Sequence, residues 1–335
     1  MLDSVRRFVA KPWVRWAAIA VLIAFLVGVV ATNGDYLRDG LRHVADANPW
    51  YILGACAVAV ITMFCQAEVM VVLLRATGVD VPRVRANLLG WEANAWSASL
   101  PGGPAVSAAM IFREQLKWGA SSVVASWYLV VSGVLAGAGM ALLALPAVFF
   151  YGAKIQPATI AFSVLGLVAT LWLVSWLAHN PHRVEAAALA VVRWWNRVTK
   201  ADPDRWVDSV HSLTSQLSAV DVPLRRVGLA LGWSVANWIT EMACLWLCIR
   251  AVGGEPAIAG VALAFLGAKL VGQVQVTPGG LGPVDVALTS MLVPLAELPM
   301  NEVLAAVIIF RLISFVGVTA VGWLLFLIGQ VKRVE

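Results

Sequence analysis

Apolar stretches long enough to cross a bilayer recur from one end of this chain to the other, and that feature leaves few folds open. Covering a hydrocarbon core of roughly 30 Å takes about 20 residues of α-helix. Inside lipid the backbone must satisfy its own hydrogen bonds, so such runs become helices. About six of them read as full spans, near 13–32, 50–75, 123–150, 157–178, 227–251 and 302–329. The chain is 61% hydrophobic and 13% charged, against roughly 25% charged in soluble domains. It is therefore predicted to be one all-α polytopic membrane domain spanning residues 1–335, with no large soluble domain left over and no feature that suits a nucleic-acid partner.

Two segments depart from this pattern. Residues 86–118 and 260–297 each contain an apolar half, a Pro-Gly-Gly sequence and a second apolar half. Each half is about 13 to 18 residues, short for a crossing. The second interruption reads VQVTPGGLGPVDVAL (274–288) and the first SLPGGPAVSAAM (99–110). Both are predicted to be re-entrant or broken-helix elements, because proline stops an incoming helix and glycine allows backbone conformations closed to other residues.

Positive charge near the spans sets the orientation, since inner loops carry the excess of Lys and Arg. An inner N-terminus, with each interrupted element returning to its own side, places Arg6, Arg7, Lys11, Arg15, Arg75, Arg83, Arg85, Arg113 and Lys117 inside, along with the basic residues of 179–226 and the tail. Arg38, Arg42, Lys154 and Arg250 fall outside, and Lys269 and Arg311 fall within the membrane. Both termini are then cytoplasmic. The first run follows a basic segment without a clean cleavage site, so it is expected to stay as an anchor. The loop 179–226 is the one extended polar region, and it fits a linker helix on the inner leaflet. Cys56, Cys65, Cys244 and Cys248 lie in apolar runs and are expected to pack as small hydrophobes.

Aligning Pro101 with Pro278 superimposes span 50–75 on 227–251 and span 123–150 on 302–329. The chain therefore divides into an anchor and outer loop (1–49), repeat 1 (50–150), a linking span and cytoplasmic loop (151–226), repeat 2 (227–329) and a tail (330–335). Under the charge-based topology the first copy begins outside and the second inside, so the repeats are inverted. Inverted repeats with interrupted helices mark a transporter whose ligand sits where the interruptions meet. A helix restarting after such a break presents free N–H groups and a positive dipole end, which suits an anion. Gly102, Gly103, Gly279 and Gly280 are the candidate backbone contacts.

Glu68, Glu92, Glu241, Lys269, Asp285 and Arg311 lie in apolar stretches, where an unpaired charge costs about 2.5 to 3.5 kcal/mol. Glu92 and Lys269 stand equally far ahead of their prolines, which makes them a candidate pair across the pseudo-twofold, either static or gating a ligand. Asp285 is placed to cap the helix after the second break or, less in keeping with its position, to couple a proton. Arg311, in mid-span, needs a partner on another helix or a bound anion. Glu68 with Gln66 and Glu241 with Asn237 suit interhelical hydrogen bonding. No nucleophile elbow, phosphate-binding loop or zinc signature is present, so no catalytic residue, metal or cofactor is predicted.

The motif TPGGLGPVDVAL together with SLPGGPAVSAAMIFREQLKWGA resembles the transmembrane, flippase-like domain of the lysylphosphatidylglycerol synthase family and its stand-alone relatives, over essentially the whole chain. Asp285 stands where members usually carry Glu, and Val106 stands near the place where many carry an acid. The resemblance implies movement of lipid between leaflets, of aminoacylated phospholipid in the family itself and of polyprenyl-linked or envelope glycolipids in distant relatives. It also implies no synthase activity for a chain ending at Glu335, and a bacterial plasma membrane.

The expected activity is accordingly that of a lipid translocase or lipid-binding transporter. An anionic head group would be held by the glycine breaks with Lys269 and Arg311, and Glu92, Glu241 and Asp285 would stand nearby. Alternatives are a secondary transporter of a small solute and a scaffold for an envelope-synthesis enzyme docked on 179–226.

Overall fold

The computed structural model describes residues 47–100, 102–151, 222–272, 278–280 and 282–331, and residues 189, 190, 193 and 196. The predicted spans at 13–32 and 157–178, and nearly all of the 179–226 loop, lie outside the described residues. Every regular element among the described residues is helical. In chain order they are α1 (Pro49–Ala76), α2 (Arg83–Ser99), α3 (Gly103–Lys117), α4 (Ser122–Tyr151), α5 (Leu224–Ala251), α6 (Ile258–Gly272), a 3₁₀ turn (Pro278–Gly280), α7 (Pro283–Leu295), α8 (Met300–Arg311), a π-helical stretch (Leu312–Gly317) and α9 (Val318–Val331).

Length separates two kinds of helix. Pro49–Ala76, Ser122–Tyr151 and Met300–Gly329 are long and apolar enough to cross a membrane. The 28 residues of α5 give it the same reach, with Arg225 and Arg226 in its first turn. The 15 residues of α6 and 13 of α7 rise only about 20 Å each, too little to cross. Predicted and observed boundaries of these elements agree within a few residues. The start of α1 is set locally: the Asn48 side chain accepts a hydrogen bond from Trp50 N at 3.0 Å, and Pro49 takes the first helical position, where no N–H is needed.

The interrupted elements are re-entrant hairpins. Along α6 and α7, Gly260 packs against the Leu295 backbone, Gly267 against Met291 and Gly272 against Val284, so the two helices run antiparallel from open end to turn. Helix α3 likewise folds back on α2: Gly90, Ala93 and Ser97 share a small crevice with Ser107 and Ile111.

The two halves pack as an inverted repeat requires. Helices α1 and α5, which open the two copies, lie antiparallel. Asn48 N donates to Ala251 O at one end, the Thr62 hydroxyl donates to the Thr240 hydroxyl at 2.9 Å in the middle, and Phe64 meets Trp233 edge-on further along. The first hairpin arm of each half then packs against the closing span of the other, α2 on α9 and α6 on α4. The α2–α9 seam closes tightly because Gly322 lies against the Trp91 carbonyl, where any side chain would collide; small residues let membrane helices approach in this way. Trp96, Trp323 and Phe326 stack beside it. The larger core lies between α5, α6, α7 and α8, with Phe265, Leu245, Ile249, Leu288, Leu292 and Ile309 fully buried. Cys65, Cys244 and Cys248 are buried and unbridged, as small apolar side chains.

Candidate functional site

The second hairpin turn builds the site. Gly279 sits at φ 61°, and a Cβ there would overlap the Phe315 ring, so both backbone and space demand glycine. Gly282, at φ 89°, leads into α7, whose first residue is Pro283. Asp285 lies in the first turn of α7, where an acid is favoured by the free N–H groups. Its Oδ2 accepts from Gly282 N at 2.9 Å and its Oδ1 accepts from Arg311 Nε. One carboxylate thus caps α7 and fastens the turn to α8. The helix after Arg311 widens into the π-helical stretch, a feature concentrated at functional sites.

A second ion pair faces the first. Lys269 Nζ, near the end of α6, donates to Glu241 Oε1 on α5. The same ammonium lies 5.3 Å from the Phe265 ring and 5.8 Å from the Trp238 ring, within cation–π range. Trp238 is held in place by donating its indole N–H to Ala136 O at 2.9 Å. Each cation keeps donors to spare. Among the described residues Arg311 Nη2 is buried without a hydrogen-bond partner, and of the three donors of an ammonium Lys269 gives one to Glu241.

Two adjoining cavities of about 490 and 280 Å³ open over these pairs, and Asn94, Trp238, Glu241, Lys269 and Ser314 border both. Gly279, Gly280, Arg311 and Phe315 complete the smaller one. The larger volume falls in the range of small-ligand sites, about 300–1,000 Å³, and the smaller lies just below it. The two halves supply different chemistry: among the described residues of the cavity walls, repeat 1 contributes the neutral Thr62, Gln66, Asn94, Ser97 and Ser132, and the charged groups come from repeat 2. Asn94 donates to Gln66 Oε1 at 2.9 Å and so links α2 to α1 at the cavity wall.

Of the residues expected at a site, the structure brings together Lys269, Arg311, Glu241, Gly279 and Gly280, with Asp285 directly behind Arg311. Gly102 and Gly103 are not in the cavity wall, because Gly103 packs against the Trp96 and Ser97 carbonyls and the first turn is closed by backbone. The expected Glu92–Lys269 pair does not form; Lys269 takes Glu241 instead. Asn94 faces the cavity, and residues two apart on a helix point to different sides, so Glu92 turns to a separate groove with Arg85, Glu114 and Gly329. Glu241 and Glu68, expected to bond between helices, do so as ion pairs, Glu241 with Lys269 on α6 and Glu68 with Arg83 on α2 at 3.2 Å, and Gln66 bonds to Asn94 on α2. The cations Lys269 and Arg311 are paired, and the site carries no net charge from its two pairs. The neutral residues Asn94 and Ser314 escaped the sequence reading, although Asn94 stands two places from Glu92.

The comparisons with known proteins point the same way as the fold. A membrane protein described as UPF0104 from Methanothermobacter thermautotrophicus (strain Delta H) is 25% identical over 315 residues, covering 90% of this chain and 93% of that one. A further match under the same description and from the same organism is 32% identical over 96 residues, 29% of this chain and 28% of that one. The family described as the lysylphosphatidylglycerol synthase TM region matches residues 13–322. With its helices, its re-entrant hairpins and that match over nearly its whole length, the chain is an integral membrane protein that belongs to the lysylphosphatidylglycerol synthase transmembrane-region family.

Proposed function

We propose that this protein is a lipid translocase or lipid-binding transporter of a bacterial plasma membrane, with both termini cytoplasmic, moving a lipid with an anionic phosphate-bearing head group between leaflets for envelope biogenesis. The observation that carries this reading is the polar double cavity between two inverted halves, with the turn of a re-entrant hairpin and two cations in its wall. Lys269 and Arg311 are each held by a carboxylate, and both side chains border the smaller cavity together with Gly279 and Gly280. The head group enters the cavity and the acyl chains stay in lipid. The positive-inside distribution of Lys and Arg supports the orientation.

The test is native mass spectrometry with lipidomics on the purified protein beside the Glu241→Gln/Lys269→Gln variant, which removes one pair whole and keeps the cavity neutral. A charged hydrogen bond to phosphate is worth about 1.5 kcal/mol or more, so the variant is expected to retain at least about tenfold less of one anionic or polyprenyl-phosphate lipid. Retention of bulk lipid alone by both proteins refutes the lipid assignment and favours transport of a small solute.

A further inference from the structure

We infer that the cavity loads its phosphate-bearing ligand together with one proton, and that Glu241 receives the proton. The inference rests on the anionic ligand proposed above. Among the described residues, the titratable or charged groups facing Glu241 across the cavities are Tyr128 from α4, Cys244 one turn along α5, Lys269 from α6 and Arg311 from α8, with Asp285 of α7 behind Arg311. Helices α1 and α2 present the neutral Thr62, Gln66, Asn94 and Ser97. The empty site is balanced by its two ion pairs. A phosphodiester adds one negative charge to a place where an unbalanced charge is costly, and the simplest compensation is to neutralise one carboxylate.

The two acids are not equally able to let go. Asp285 is held twice, by Gly282 N and Arg311 Nε, at the positive end of α7, and it lies outside the cavity wall. Glu241 sits in mid-helix, borders both cavities, and has Lys269 as its one hydrogen-bond donor among the described residues. When the phosphate oxygen replaces the Glu241 carboxylate as acceptor of the Lys269 N–H, the carboxylate takes a proton from water and becomes a neutral acid. Release of the ligand reverses both exchanges. The charge of the loaded site then equals that of the empty one.

Isothermal titration of the whole protein in phosphatidylcholine nanodiscs, with dihexanoyl phosphatidylglycerol as the probe and two buffers of different ionisation enthalpy, reads the proton count directly. The expected result is net uptake of protons on binding of the lipid, with affinity falling as pH rises. Glu241→Gln is expected to bind with no proton uptake and a flat pH profile. Dimethyl phosphate, a phosphodiester without acyl chains, is titrated alongside. Proton-linked binding of the lipid alone supports coupling with a lipid cargo, and proton-linked binding of both supports coupling with a soluble phosphate ester as cargo. Wild-type binding without proton uptake overturns the coupling and leaves the anionic ligand standing, and so does undiminished uptake in Glu241→Gln. Failure of both probes to bind wild type overturns the anionic ligand and the coupling together. Should Glu241→Gln fail to fold, the Glu241→Gln/Lys269→Gln variant takes its place, and proton uptake on binding that persists in it overturns Glu241 as the acceptor.

Discussion

At the first interruption the chain turns between Leu100, extended at φ −119° and ψ 143°, and Gly102 at φ 71°, and α3 starts at once with no acid in its first turn. At the second, residues 273–282 separate α6 from α7, Gly279, Gly280 and Gly282 all take positive φ, and Asp285 caps the new helix while holding Arg311. With Pro101 aligned on Pro278, the counterparts of Glu241, Asp285 and Arg311 are Phe64, Ala108 and Val134, and that of Lys269 is Glu92, which faces elsewhere. The halves share a fold, and the charge of the cavity belongs to one of them. Hairpin geometry therefore needs only the Pro-Gly-Gly turn and close packing; the ions are an addition that the fold does not require, and repeat 2 is where chemistry is to be sought.

The largest test of that asymmetry is at Arg311. Arg311→Ala leaves Asp285 facing a largely buried, empty place, and breaking such a pair from one side costs about 3–5 kcal/mol. Val134→Ala, its counterpart in repeat 1, is expected to cost about 1 kcal/mol or less. Removing both partners in Asp285→Asn/Arg311→Leu is expected to recover most of the loss. Unfolding by SDS titration in mixed micelles measures all three, and equal losses at 311 and 134 would erase the distinction between the halves.

A smaller contrast sits in the turns themselves. Gly102→Ala meets no atom within 4 Å, so it pays only for a left-handed backbone, about 1–2 kcal/mol. Gly279→Ala carries the same strain and also drives a methyl into the Phe315 ring, for a total of about 2–4 kcal/mol. Combining Gly279→Ala with Phe315→Leu is expected to bring its unfolding midpoint back toward that of Gly102→Ala. If the two single variants are equally stable, Phe315 does not brace the second turn.

The hairpins and long helices were legible in the sequence because run length and Pro-Gly-Gly are local signals. The pairing of the charges was not, because it depends on which face of each helix meets which neighbour. Equal spacing from the prolines suggested Glu92 for Lys269, yet equivalence in a repeat does not mean contact: α2 turns Asn94 to the cavity and Glu92 away, and α5, closed against α1, brings Glu241 to the end of α6. Asp285 as a cap was readable, since an acid just after a break has few other places to go. The π-helical stretch over LISFVG has no proline or glycine pair to announce it.

The finest contrast lies in the two seams that exchange between halves, where an indole N–H plays a similar part in each. Trp323 donates to Ser99 Oγ at 2.9 Å between α9 and α2, and Trp238 donates to Ala136 O at 2.9 Å between α5 and α4. Hydrogen bonds between membrane helices are worth about 0.6 kcal/mol on average, so Trp323→Phe and Trp238→Phe are expected to lower SDS-unfolding stability by similar, small amounts. Their effects on ligand should differ. Trp238 also lies beneath the Lys269 ammonium and borders both cavities, and Trp323 is in the Trp96–Phe326 stack away from them. Phenylalanine keeps a ring face for the cation but loses the N–H that fixes its plane, which frees Lys269 to move against Glu241. Trp238→Phe is therefore expected to change retention of the bound lipid about two- to fivefold at a cation–π stake of about 0.5–1 kcal/mol, with no change in Trp323→Phe. Equal retention in the two variants would mean that the ring under Lys269 serves packing alone, and that the asymmetry of charge between the halves does not extend to the aromatic wall.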